Sequence, residues 1–465
     1  MRNEKFSVFL IRYYSYSNLW QQLKMKRVIF LVIILTTLVC TPFFAQESEN
    51  VNDKLRAALI SLDSKDYEKA EMLINDYLLL FPNDEFAFNG LGIIKYRQGE
   101  IDKAIELFDK SIALKPDFIN AHENRANAKV DRGDVLGALK DINFAINQDS
   151  TLSSTYINRG RIQLINKDTI SAFNDFDKGI KLGSIAPQAY TNRGICYWYQ
   201  KKLDLALADL QYAISQHPNY GYAYANYGIV QIEGLNDIVS ANVSLQKAYN
   251  LGLRDNGIIF RIGYTNQLLG KLDEAFFYYS LFIKTDPTDS EAFYNRGTII
   301  AHQKKYDLAL QDFGISLKLE PKNTGVLTNR ALLVYEPTGE FNKAISDMQN
   351  VIKQKENLNL NPAIAYNNLG YLQLKNQELV IALNNIKRSI ELDSTNSYAY
   401  KNLALIGIES GDLSSACNAT QKAIDLGFIE NYGNEILAIK ENCLLYTSDA
   451  ADDLLCVDLG GRRII

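Results

Sequence analysis

The sequence is poor in the residues that build metal and redox sites. Its three histidines, His122, His217 and His302, lie far apart in the chain, so a histidine-rich metal site is not expected. Five cysteines are present, Cys40, Cys196, Cys417, Cys443 and Cys456, and no two have C-x2-C spacing. That removes a zinc ribbon and a thioredoxin-like motif. A dominant charge is also missing: the formal net charge is −5, which gives neither the basic footprint of a nucleic-acid binder nor a strong acidic field. No G-x-S-x-G, H-E-x-x-H or glycine-rich phosphate loop occurs. The chain therefore reads as a non-enzyme without cofactor or metal. What it has is apolar residues, 47% of 465, enough for several domains or one long solenoid.

That apolar content is periodic. Tyr190, Arg193, Gly194 and Tyr197 are followed by Ala206, Leu210, Ala213 and Pro218. The spacing resembles the tetratricopeptide repeat, W-x2-L-G-x2-Y, then A-x3-F, then P. The same frame fits about eleven times between Val51 and Glu430. The second copy has Phe88, Gly92, Ala104 and Phe108; the fourth has Tyr156, Gly160, Ala172 and Phe176; the eighth has Phe293, Gly297, Ala309 and Phe313. The sixth and ninth each carry one extra residue, and Lys353 to Pro362 delays the tenth. The resemblance implies an all-α fold, a right-handed α-solenoid superhelix of helix-turn-helix units over 46–430, with 431–442 as a capping helix. A small residue on helix A would face an alanine on helix B, letting the backbones approach. No unit buries its apolar face alone, so stacking supplies the core. Gly99, Gly133, Gly270 and Gly411 are placed to take the left-handed conformation that ends helix A.

Five units carry an arginine on helix A (Arg125, Arg159, Arg193, Arg296, Arg330) and the same five carry an aspartate on helix B (Asp141, Asp175, Asp209, Asp312, Asp347). The offset is 16 in four units and 17 in the ninth. A half-buried guanidinium needs a carboxylate for its fork, so these read as structural ion pairs; an anion-binding arginine ladder is the alternative.

In the family resembled, helix A lines the concave groove. One place on helix A is asparagine in eight units: Asn124, Asn158, Asn192, Asn226, Asn295, Asn329, Asn368 and Asn402, with Arg261 interrupting. An amide offers a donor and an acceptor, as a peptide unit does, so this file is a candidate holder for an extended chain, similar to the file in O-GlcNAc transferase repeats. The other reading is that these amides only satisfy local backbone. Trp198, Tyr199, Tyr264 and Tyr294 are candidate aromatic anchors beside it; Tyr222, Phe260, Tyr335 and Tyr371 stand at related places, Tyr222 and Phe260 being the ones expected in the core. The binding region is expected in units five to eight.

The ends depart from the pattern. Met25-Lys26-Arg27, the apolar run Val28 to Val39, and Ala45 give the order of a secretory signal over 25–45. An uncleaved anchor and lipidation at Cys40 are alternatives, and residues 1–24 read as mis-assigned leader. Cys443 to Ile465 resembles the translation of a transposase-based sequencing adapter, with two constant arms in one frame around a spacer. The expected function is an exported scaffold, in the periplasm or cell envelope or secreted, binding a protein or an extended peptide, with membrane contact only through a signal or lipid anchor. The alternatives are the targeting arm of an envelope protease or glycosyltransferase, and an outer-membrane assembly factor.

Overall fold

A computed structural model of the chain describes residues 56–441 and Cys443. Residues 1–55, on which the expected leader and secretory signal with Cys40 fall, and residues 442 and 444–465, which hold most of the segment that reads as adapter, lie outside the described residues. The chain falls into two compact bodies that meet in sequence at Arg254 and Asp255.

The first body holds six antiparallel helix pairs: α1 (56–63) with α2 (Tyr67–Leu80), α3 (Glu85–Arg97) with α4 (Ile101–Leu114), α5 (Ile119–Asp131) with α6 (Val135–Gln148), α7 (Ser153–Ile165) with α8 (Thr169–Lys181), α9 (Pro187–Tyr199) with α10 (Leu203–Gln216), and α11 (Gly221–Leu235) with α12 (Ile238–Asn250). The second body holds α13 (Asn256–Leu268) with α14 (Leu272–Thr285), α15 (Ser290–His302) with α16 (Tyr306–Leu319), α17 (Thr324–Arg330) with α18 (Phe341–Asn357), α19 (Ala363–Lys375) with α20 (Leu379–Leu392), and α21 (Ser397–Glu409) with α22 (Leu413–Asp425). Odd helices are the A helices and even ones the B helices of successive units. The all-α, helix-turn-helix reading thus describes every unit from the first to the eleventh.

The close approach of A and B is built from small residues. Ala104, Ala138, Ala172, Ala206, Ala275 and Ala309 are fully buried, as are Phe176 and Phe313. A Cβ added at Gly92 would lie 2.5 Å from the Phe108 ring, and one at Gly160 would lie 2.8 Å from the Phe176 ring. Each ring therefore fills the place of the missing side chain.

Each turn from A to B passes through one residue of positive φ. Glycine supplies it at Gly99, Gly133, Gly270, Gly339 and Gly411, as the sequence suggested for four of these. Lys65, Lys167, Lys201, Lys304, Gln377 and Asn236 supply it elsewhere, at φ between 52° and 63°. Aspartate then starts several B helices: Asp134 Oδ1 accepts from the Gly137 N–H at 2.9 Å, and Asp168 from that of Ser171 at 3.0 Å, which satisfies open helix-end donors.

Three segments depart from the expected frame. The extra residue of the sixth unit is taken up inside α11, which runs to 15 residues and ends at left-handed Asn236. That of the ninth is a π-turn, Ala331–Tyr335, continuing α17. The segment expected as one capping helix is interrupted: α23 (Phe428–Tyr432) ends at Gly433, φ 85°, and a 3-10 turn Asn434–Ile436 follows. It still caps, because Phe428, Ile436 and Ile439 close over Ala404, Ala419 and Ala423. Cys417 of α22 and Cys443 are joined as a disulfide with Cα atoms 5.4 Å apart. Cys443 is also the first residue of the segment that reads as adapter.

Candidate functional site

The five arginine–aspartate pairs are all formed, and all in one geometry. Nε and Nη2 of the guanidinium donate to the two carboxylate oxygens, at 2.7 and 2.7 Å for Arg159–Asp175, 2.8 and 2.9 Å for Arg193–Asp209, 2.8 and 2.8 Å for Arg296–Asp312, and 2.8 and 2.7 Å for Arg330–Asp347. Arg125 makes the same fork to Asp141. The third arm, Nη1, reaches back to helix B of the preceding unit. It donates to Asp109 at 2.6 Å from Arg125, Asn143 at 2.8 Å from Arg159, Asp177 at 3.0 Å from Arg193 and Ser280 at 3.3 Å from Arg296. Four of the five guanidiniums therefore tie three helices, which argues for the structural reading over an anion ladder. The back-reaching partner lies 16 residues upstream, a fixed spacing that the sequence carries.

Around Asp141 the pairing is denser. Burial pushes its carboxyl upward, but hydrogen bonds from His122, Arg125 and Lys129 outweigh this and hold it well below the usual carboxylate range. Next to His122, Glu123 is buried. Burial raises its pKa, and the neutral Thr155 and Asn158 across the unit boundary offset only part of that.

The asparagine file does not lie open along a groove. Asn192, Asn226, Asn295 and Asn402 are buried, at 1%, 7%, 8% and 0% exposure. Asn192, Asn226 and Asn295 are corrected from peptide-holding residues to residues packed inside the stack, and Asn402, equally buried, sits in the wall of a cavity. Asn226 donates to the Tyr222 carbonyl in its own helix at 2.9 Å. The half-buried Asn124 donates to Asn89 at 3.0 Å, and Asn329 donates to the Tyr294 hydroxyl at 3.0 Å, each 35 residues back. Asn158 meets Glu123 at the same separation, and Asn402 donates to Asn367 at 2.9 Å. The amide thus stitches one A helix to the A helix before it. Asn368 is half-buried and accepts from Asn367 at 3.4 Å.

The aromatic candidates divide. Tyr199 and Tyr264 are exposed, at 43% and 39%. Trp198 is half-buried, and a Cβ on Gly234 of the following A helix would lie 3.0 Å from its ring; it packs between units. The Tyr294 hydroxyl is engaged by Asn329. Phe260 stacks edge-on against Tyr279 and Phe282, as a core residue.

A cavity of about 620 Å³ opens further along, in the second body, between α19, α21, the π-turn that follows α17 and the terminal turn. Asn368, Asn402 and Tyr371 line it together with Glu336, Lys401 and Glu435. The last three were not singled out from the sequence, because they occupy different places in the repeat frame and only the π-turn and the broken cap bring them to one mouth. The Tyr371 hydroxyl donates to Glu336 Oε1 at 3.1 Å. Lys401 Nζ lies 3.4 Å from Glu435 Oε1 and 5.0 Å from the centre of the Tyr398 ring. Among the described residues no group of three or more histidine, cysteine or acidic side chains could hold a metal ion, and no helix is long and apolar enough to cross a membrane.

Residues 92–133 match the family model described as TPR repeat, and the same paired-helix unit recurs on both sides of that match. The chain is a tetratricopeptide-repeat protein. It is 37% identical over 65 residues to protein FlbA of Caulobacter vibrioides and 40% identical over 55 residues to tetratricopeptide repeat protein 36 of Mus musculus, or 14% and 12% of this chain. It spans only 11% and 30% of the length of those relatives. Similar solved structures include yeast Tom70, at 16% identity, TM-score 0.41 and coverage of 88% of this chain and 98% of that one. A tetratricopeptide repeat protein from Parabacteroides merdae has 16% identity, TM-score 0.44 and coverage of 54% and 99%.

Proposed function

We propose that this protein is a non-catalytic binding scaffold that holds an extended peptide, or an extended segment of a partner protein, against the A-helix faces of its repeats. The observation that carries this reading is the cavity of about 620 Å³ along α19, α21 and the π-turn after α17, whose volume lies in the range of roughly 300–1,000 Å³ common to ligand sites. The half-buried amide Asn368 and the aromatic Tyr371 line it, so it offers both a hydrogen-bonding group and a flat apolar surface. Exposed Tyr199 and Tyr264 are further anchors of the kind that dominate binding surfaces. We place the scaffold outside the cytoplasm, in the periplasm or cell envelope, on the basic, apolar, small-residue order of residues 25–45.

A pull-down from native envelope with residues 46–442, followed by probing an array of overlapping peptides from each recovered protein, tests the binding half. Linear peptides that compete with the full partner are expected. Recovery of no protein, or of partners none of whose peptides bind, would reject the extended-segment reading. Fractionation of cells expressing the tagged full chain tests the location: signal confined to the cytoplasm rejects export.

A further inference from the structure

The cavity at the end of the second body has a chemistry of its own. Its lining includes three carboxylates, Glu336, Asp393 and Glu435, against one ammonium, Lys401, so it is net negative. Asp393 is engaged locally, accepting from the N–H and hydroxyl of Thr395 at 3.0 and 2.7 Å. Glu336 and Glu435 are different. Glu336 accepts through Oε1 from the Tyr371 hydroxyl at 3.1 Å, and Glu435 Oε1 lies 3.4 Å from Lys401 while the Tyr398 hydroxyl also bonds that carboxylate. Glu336 is thereby oriented before any ligand arrives, whereas Glu435, 48% exposed, is free to adjust to one.

A second observation points to a ligand that donates hydrogen bonds. Asn402 lines the same cavity and is fully buried. Its Nδ2 is engaged with Asn367, but its Oδ1 has no hydrogen-bond partner. A buried amide oxygen without a donor is costly; this one is sealed from solvent, so a bound N–H relieves it once the Asn402 side chain turns toward the cavity. Burial first, then the field of Glu336, raises the pKa of the Tyr371 hydroxyl; burial, then Glu435, does the same for Tyr398. The part of each shift that comes from Glu336 or Glu435 reflects the negative field of those carboxylates at the mouth.

From these contacts we infer that the cavity is a subsite for an arginine side chain of the bound segment, with Glu336 and Glu435 taking the charge, the tyrosine rings the flat face, and Asn402 Oδ1 one N–H. The inference rests on the proposal that the chain binds extended segments. Arginine fits better than lysine because its planar fork can reach carboxylate and amide together and stack on a ring. An acidic ligand recruited by Lys401 is disfavoured: that side chain is 11% exposed, lies beside Glu435 and covers the Tyr398 ring, so its charge is already engaged.

The test uses the full chain and three fluorescein-labelled octapeptides, Gly-Ser-Gly-X-X-Gly-Ser-Gly with X as arginine, citrulline or glutamate, read by fluorescence anisotropy. The arginine peptide should bind at least about tenfold more tightly than its neutral citrulline counterpart, the scale of losing charge-assisted bonds. The double variant Glu336→Gln with Glu435→Gln should lose that preference while keeping the parent's unfolding midpoint. Glu336→Lys should move preference toward the glutamate peptide, a change that a merely structural role would not produce. Equal binding of arginine and citrulline peptides, tighter binding of the glutamate peptide by the parent, or an undiminished arginine preference in a folded double variant would each overturn the inference. If natural partner peptides bind the parent and the double variant alike, the subsite falls and the scaffold reading stands. If no natural peptide binds either, both fall.

Discussion

A guanidinium has five N–H donors, and the arginines of this protein show how many of them one repeat can engage. Arg125, Arg159, Arg193 and Arg296 each reach an acceptor 16 residues ahead and another 16 behind. At Arg330 the position 16 behind is Gly314, which has no side chain to offer. A Cβ there would meet nothing within 4 Å. Gly314→Asp should therefore stabilise the protein by about 1 kcal/mol, from a charged hydrogen bond together with the higher helix propensity of aspartate. Thermal unfolding checks this, and an unchanged or lower midpoint would count against a working third arm. Glu123 gives a prediction of the opposite kind. Its folded-state pKa is raised by burial above the unfolded value near 4.3. The stability linked to it is complete below that unfolded value and is lost as pH rises through the raised folded one. Glu123→Gln keeps the uncharged shape, so it should raise the unfolding midpoint at pH 8 and alter it little at pH 4. Equal shifts at both pH values would show that charge is not the cause. The ion pairs were legible in the sequence because a fixed offset between two regular helices fixes which side chains face each other. The asparagine file was legible as a position but not as an environment. Spacing tells which residues share a stripe of a helix, not whether the next helix covers that stripe, and at Asn192 and Asn402 it does.

At the scale of the helix pair, the left-handed turn residue is where sequence and geometry disagree in a useful way. Lys167, Lys201 and Lys304 sit at φ near 60°, a conformation that costs a side-chain-bearing residue about 1–2 kcal/mol, whereas Gly133 and Gly270 take it freely. Lys201→Gly removes that strain and adds back some unfolded-state entropy, roughly 0.4–1 kcal/mol. A net stabilisation of about 0.5 kcal/mol is expected, read by denaturant unfolding with an unchanged m-value. A loss would mean that the Lys201 contact over the Trp198 ring, at 5.4 Å, outweighs the strain. The turn was predictable from its glycine-bearing copies; the lysine-bearing copies hide it, since nothing in lysine announces positive φ.

Taken as a whole, the chain is a series of nearly interchangeable units, and two of its three irregular segments lie where the cavity is. The regular units were readable from end to end, because helix A, turn, helix B and a small-residue contact repeat in register. The π-turn of the ninth unit and the break at Gly433 were not. Each is a local change in backbone path that leaves the apolar pattern almost intact. Leu332 and Glu336, from the π-turn and just after it, line the cavity, as do Tyr432 and Glu435 from the interrupted cap. The π-turn can accordingly be treated as a one-residue insertion that the protein has kept. Removing Leu332 would return the Arg330–Asp347 offset from 17 to the 16 of the other four pairs and give α17 an ordinary continuation. Such a deletion mutant should remain folded with its ion pair closed, and in a crystal structure the residues after Arg330 should follow a plain α-helix with the Glu336 carboxylate rotated about 100° around the axis. The insertion would then be seen as a tuning peg: one residue gained inside a helix turns everything after it by a fixed angle, and so sets which side chains a repeat shows to its partner without altering how it stacks.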